Sequence, residues 1–343
     1  MPAHAKKPKP ASTSTTPKPG QPGQAQRPGQ APVRPGEQAK PRDMADPTTV
    51  TDDTTKKPQD YAYKKNERGA QLYGKNGIQA ADVRQGRIAD CFLAASLSSV
   101  AGARPDAIKS AIVDNKDGTY TVRFYKVDWN GEKRVFKETV DSDLPWDTAA
   151  DAPAYAKSTE MAEGAAGSAG TGGGAGKAWM ELWPSILEKA YAQWKGGSYD
   201  TIGHGGNSGD VLEALTGQRS TTESTAGGAA GGENDALWTK MKKASADKKP
   251  MTAGSGDKDD AKYKDPKAGV YGWHAYTVLG VEEKKAGDKT EKMVTLRNPW
   301  GKRRRDSDAA AVGDTDNEKA GGVFQLEWKE FRRLYDDVTI SGG

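Results

Sequence analysis

The chain has 343 residues, 34% hydrophobic and 29% charged, with a single cysteine and a net charge of +4. One cysteine excludes an intrachain disulfide and the cysteine-rich zinc frameworks, and no run approaches the ~18 apolar residues that a membrane span requires. The charge is unevenly held: within residues 1–42 eight lysines and arginines face only Glu37, so this stretch carries +7 and the remainder −3.

Residues 1–60 read as a tail. The stretch "MPAHAKKPKPASTSTTPKPGQPGQAQRPGQAPVRPGEQAKPR" is rich in Pro, Gly, Gln and Ala and lacks aromatics. It cannot bury enough apolar surface to offset its chain entropy and is expected to be disordered. Basic charge without interleaved aromatics argues against specific nucleic-acid binding. Linker, self-cleaved propeptide and docking segment for a partner stay open as roles. Lysines near the start with no hydrophobic run after them argue against a cleavable secretory signal. The expected location is therefore the cytoplasm, or outside the cell by another export route. Order is expected to begin near Tyr61, with one domain over 61–343.

"CFLAASLSSV" places Leu93, Leu97 and Val100 on one face of a helix, and "RPDAIKSAIV" starts a second at Pro105 and Asp106. "DGTYTVRFYKVDWNGEKRVFKETV" alternates β-branched and aromatic residues around Asp117-Gly118 and Asn130-Gly131, the pattern of a hairpin or meander. A Gly/Ala/Ser-rich loop over 157–177 precedes "AWMELWPSILEKAYAQW", whose helix starts or kinks at Pro184. "GGNSGDVLEALTG" is a glycine turn and short helix, and 220–233 is a weakly patterned Gly/Thr/Ala region. "HAYTVLGVEE", "EKMVTLRNPWG" and "GGVFQLEW" read as strands, and "KEFRRLYDD" as a closing helix. Helices early and strands late give an α+β body of two unlike lobes.

The lone thiol, Cys91, stands at the start of its helix after the turn "QGRIAD". A helix N-terminus and a nearby imidazolium stabilise a thiolate; an inert, buried cysteine is the competing reading. Three histidines could serve as base. His4 lies in the tail and His204 on a glycine loop, whereas His274 opens a strand. Asn298 ends the next strand and converges on His274 if the two strands pair. Gln85 offers an amide for an oxyanion, with the Cys91 backbone N–H as a second donor.

"DVRQGRIADCFLAASLSSVA", "GWHAYTVLGV" and "TLRNPWG" resemble the three signature blocks of the calpain-type cysteine peptidases. "ELWPSILEKAYA", "GGSYDTIGHGGNSGDVLEALTG" and "GGVFQLEWKEFRRLYDD" extend the likeness over 61–340. The resemblance implies a papain-like fold with Cys91 as nucleophile, His274 as base and acid, Asn298 as orienter and Gln85 as oxyanion donor. It makes Trp300 a shield over the His–Asn bond and Gly206 a backbone partner for extended substrate. Trp273 stands where many relatives have glycine and narrows the substrate cleft. The chemistry itself needs no cofactor. One family calcium site implies Asp82, Glu181 and Gly77 as ligands; local pairing of Asp82 beside a solvated Glu181 is the alternative. The second family site uses acidic residues where this chain has Lys302, Arg303, Arg304 and Arg305. The expected activity is hydrolysis of protein or peptide substrates through an acyl-enzyme, with calcium dependence open. Transglutaminase-like acyl transfer and a catalytically drifted binding module are the alternatives. The glycine-rich insertions and compact chain look more like a bacterial member than an animal one.

Overall fold

A computed structural model describes residues 42–51, 57–65, 70–158, 181–226, 235–265, 267–287, 289–312 and 320–343. The tail reading over 1–41 and 52–56 and most of the Gly/Ala/Ser-rich loop fall outside these residues. The body starts earlier than Tyr61. Thr48 bridges Ser198, Thr51 bonds Asp200 through N–H (2.6 Å) and Oγ1 (2.7 Å), and Val50 is buried. A few β-branched residues suffice to dock this stretch, too few to outweigh its polar composition in the sequence.

Two separate cores define two lobes within an α+β body. The first is built on α1 (Cys91–Ala103), α2 (Pro105–Ala111), α3 (Trp183–Trp194) and α4 (Ser208–Thr216). Pro184 falls in the first turn of α3, so it starts the helix rather than kinking it. Asn207 caps α4 through Gly209 and Asp210, and Gly217, at φ 64°, ends it. A three-stranded antiparallel sheet, β1 (Ile112–Asp114), β2 (Thr119–Val127) and β3 (Lys133–Asp141), packs on the helices. Its turns fall at the two Xaa-Gly pairs picked out from sequence.

Helix α1 departs from its expected single apolar face: Phe92 through Ala101 are all buried. Ala94, Ala95, Ser96, Ser98 and Ser99 are small enough to admit neighbours on every side, which a large-residue periodicity cannot reveal. The serines meet their hydrogen-bonding needs on surrounding carbonyls, Ser98 on Ala80 O and Ser99 on Met251 O (both 2.8 Å).

The second lobe is a six-stranded antiparallel sheet with α5 (Asp235–Ala246) and α7 (Trp328–Leu334) packed on it; α6 (Asp306–Val312) follows the "NPWG" turn. Its strands are β4 (Ser220–Ser224), β5 (Met251–Gly254), β6 (Ala275–Ala286), β7 (Lys289–Arg297), β8 (Val323–Glu327) and β9 (Asp337–Ser341). They lie in the order β8-β7-β6-β5-β9-β4. Residues 220–224, weakly patterned in sequence, form an edge strand held by β9 pairing. Strands β6 and β7 pair with Thr277 opposite Arg297, which brings His274 and Asn298 to one end of the sheet.

The lobes meet along α1. Thr277 Oγ1 donates to Ala95 O (2.8 Å), and Arg297, fully buried, reaches from β7 into the helical lobe. Its guanidinium donates to Val83 O (2.6 Å), Ala81 O (3.1 Å) and Ser98 Oγ (3.2 Å). Charged hydrogen bonds of this kind contribute about 1.5–3 kcal/mol each, and removal leaves buried carbonyls unsatisfied. Arg297→Met is therefore expected to lower unfolding stability by about 2–4 kcal/mol in urea titrations. A change below about 0.5 kcal/mol would show that the lobes do not depend on this link.

Candidate active site

Cys91 is the first residue of α1, held there by Asp90, whose carbonyl accepts from Leu93 N (2.8 Å) and Ala94 N (3.1 Å). The preceding turn is fixed by Gly86, where a Cβ would lie 2.3 Å from Tyr155 O. Ala89 lies outside the left-handed backbone region, so its methyl is accommodated. The Cys91 sulfur is half-buried at the lobe junction. It lines the cleft together with His274 and Ala275, the residue after it.

His274 is buried at the start of β6, its ring between Trp300 (centroids 4.6 Å apart) and the edge-on ring of Tyr276 (4.8 Å). Its Nε2 lies 2.9 Å from Asn298 Oδ1. Asn298 is fully buried and oriented from both ends: Nδ2 donates to Arg303 O (3.1 Å), while Oδ1 accepts from Trp300 N (3.2 Å). That orientation assigns the tautomer. Nε2 carries the proton donated to Asn298, and Nδ1 is left as the basic nitrogen.

Burial pushes the Cys91 thiol up to about 11, with the Ala275 N–H opposing it and the nearby Asp90 adding to the rise. Burial likewise lowers His274 to about 4; the Asn298 bond opposes this and the Arg305 charge reinforces it. Both shifts favour the uncharged forms, thiol and neutral imidazole. The helix terminus expected to favour thiolate is present, but desolvation outweighs it.

Two carboxyls missed in the sequence lie behind the nucleophile. Asp90 and Glu188 are both buried and face one another, while Glu188 accepts from Ala156 N (3.0 Å). Burial raises both, and the Asp90 charge raises Glu188 further, so both carboxyls are easier to protonate than free ones. Glu188 and Lys189 lie in a stretch of α3 buried all round, which no hydrophobic periodicity marks. Gln85 also faces inward: Nε2 donates to Ile88 O (2.7 Å), and the residue does not line the cleft.

A cleft of about 260 Å³ runs between the lobes, bringing together Cys91, Phe92, Gly206, Trp273 and His274. A Cβ on Gly206 would lie 2.4 Å from the Phe92 ring, so close packing requires this glycine. Trp273 has φ 50°, a conformation that glycine adopts without strain, and its ring is 63% exposed at the rim, with the Lys258 ammonium 4.8 Å from its centre. His204 is exposed, 3.4 Å from Asp200, and does not line the cleft.

Asp82 Oδ2 accepts from Gln79 N (2.6 Å) and Trp183 Nε1 (3.4 Å). Glu181 accepts from Gly74 N and from Ser158 Oγ (3.1 Å). Glu181 is buried rather than solvated, and Gly77 is an exposed turn residue at φ 74°. Both carboxylates accept from local donors. Among the described residues, the one trio of carboxylates within 4.8 Å is Asp43, Asp141 and Asp143. Buried Lys189 supplies a cation there, bonding Asp141 (2.6 Å), the Asp143 carbonyl (2.7 Å) and Asp46.

A family model described as "Calpain family cysteine protease" matches residues 45–165 and 175–341. The chain is 27% identical over 315 residues to the calpain-type cysteine protease ADL1 of rice, covering 83% of this chain and 12% of that protein. It is 26% identical over 301 residues to mouse calpain-5, covering 77% of this chain and 42% of that protein. The chain thus spans well under half the length of these relatives. With a family model matched along nearly all of the body, the chain belongs to the calpain family of cysteine proteases.

Proposed function

We propose that the chain is a cysteine endopeptidase that cleaves peptide bonds through Cys91, His274 and Asn298. The observation that carries this reading is the buried His274–Asn298 hydrogen bond beside Trp300, with Cys91 and His274 lining one cleft. His274 Nδ1 takes the thiol proton as sulfur attacks the peptide carbonyl. The imidazolium then protonates the leaving amine, which departs to leave an acyl-enzyme. Neutral His274 next activates water, which hydrolyses the thioester and restores the thiol. Asn298 keeps the ring in the required tautomer throughout, and Trp300 excludes water from that bond. The oxyanion is held by the Cys91 backbone N–H, joined by the Gln85 amide once its bond to Ile88 O opens.

The steps as written use no calcium ion. In the loop after Trp300, Arg303 donates to Ala268 O (3.1 Å) and Arg304 to Lys267 O (2.8 Å). These internal cations support a loop held without bound metal. Cleavage of unfolded casein is expected to fall at least about 10³-fold in Cys91→Ala and His274→Ala, and to be unaffected by chelator. Full activity in Cys91→Ala would refute the assignment, and loss on chelation would restore a calcium requirement.

The neutral resting pair has a pH signature. A thiol raised to about 11 is almost wholly protonated at pH 7, and its thiolate fraction grows about tenfold per unit until that value is approached. With His274 lowered to about 4, little imidazolium remains above pH 6 to hold the thiolate. Alkylation of free enzyme by iodoacetamide is expected to climb steadily from pH 7 towards 11. A plateau between pH 5 and 8 would reveal a preformed thiolate–imidazolium pair instead.

A further inference from the structure

The cleft is lined on the sheet side by alternate residues of three neighbouring strands. Thr252 and Gly254 on β5 lie opposite Thr339 and Asp337 on β9, and Thr222 on β4 lies opposite Thr339. The period-two pleat puts these residues on one face. Thr222 and Thr339 satisfy each other through a 3.0 Å hydroxyl contact, and the Asn207 carboxamide oxygen caps α4. Asp337 is the one carboxylate among the cleft-lining residues.

Its surroundings make room for charge without neutralising it. A Cβ on Gly254 would lie 3.0 Å from each Asp337 carboxylate oxygen, so glycine leaves space for that group. Among the described residues no lysine, arginine or histidine forms a salt bridge with Asp337, whereas its neighbour Asp336 pairs with Lys262 (3.0 Å). Burial raises the Asp337 carboxyl above its ordinary range, the Gly254 N–H opposes this and the Asp336 charge adds to it; no cation contributes. A half-buried carboxylate open to a cleft and lacking a counter-ion gains most from a cation delivered into it.

We propose that Asp337 is a specificity-determining residue that selects substrates presenting a lysine or arginine side chain to the subsite floored by Thr222, Thr252 and Thr339. The inference rests on the peptidase reading for its substrate class. The aliphatic stem lies along the threonine methyls while the charged end reaches Asp337. The Lys258 ammonium, held over Trp273, leaves the Asp337 carboxylate to the substrate's cation.

The test uses the full chain carrying Cys91→Ala, so that peptides bind without being cut. Fluorescent peptides with lysine, norleucine or glutamate at each position in turn report affinity by anisotropy. At one position lysine is expected to bind about tenfold more tightly than norleucine, the scale of a charged hydrogen bond, and less so at high salt. Adding Asp337→Asn should bring that ratio close to one, and Asp337→Lys should favour glutamate. If Asp337→Lys does not fold, Asp337→Asn decides. A lysine preference that survives Asp337→Asn, or no lysine preference at any position, overturns the proposal. Wild-type cleavage of the same peptides separates the two readings: binding selectivity lost by Asp337→Asn, without cleavage of any peptide, supports the subsite and rejects the peptidase.

Discussion

The arrangement depends on one helix buried on all sides at the seam between two cores. Helix α1 carries Cys91 at its first position and packs against both lobes because its middle is alanine and serine. Small side chains let strands β5 and β6 approach, and serine hydroxyls and Thr277 then tie helix to sheet. A leucine at Ser98 or Ser99 would add interior volume where the neighbours are already in contact. The helix therefore fixes the distance across the cleft, and Arg297 fixes its angle by bonding Ala81 and Val83 from the strand that ends in Asn298.

The electrostatics follow from the same burial. Desolvation raises the thiol and lowers the imidazole, and both shifts favour the uncharged pair. Asp90 and Glu188 would add two negative charges behind the nucleophile if both were ionised; the upward shift of both carboxyls limits that charge. Substrate entering the cleft changes this balance by presenting a carbonyl that accepts the sulfur's electrons as the thiol proton passes to His274. On this account charge separation belongs to the reaction and not to the resting protein.

Much of this was legible in the residues, because local chemistry fixes it. Asp117-Gly118 and Asn130-Gly131 mark their turns, the glycine turn before "DVLEALTG" marks α4, and the strand character of "HAYTVLGVEE" and "EKMVTLRNPWG" announces the strands that bring His274 to Asn298. Other features are tertiary. The all-round burial of α1, the edge strand at 220–224 and the docking of residues 42–51 depend on partners distant in sequence. Gln85 reads as a free amide until Ile88 O is seen to engage it. Asp337 looks like one of two adjacent surface aspartates, and only the pleat separates the one facing the cleft from the one paired with Lys262.

The central claim is that sulfur and imidazole act as one unit across the lobe junction. The most direct measurement is the rate and site of covalent labelling by a peptidyl chloromethyl ketone, followed by intact mass and peptide mapping. The account predicts a single adduct on the Cys91/His274 unit in the wild type, with labelling slowed at least about a hundredfold in His274→Ala. Equal labelling rates in wild type and His274→Ala, with the adduct on Cys91, would contradict it.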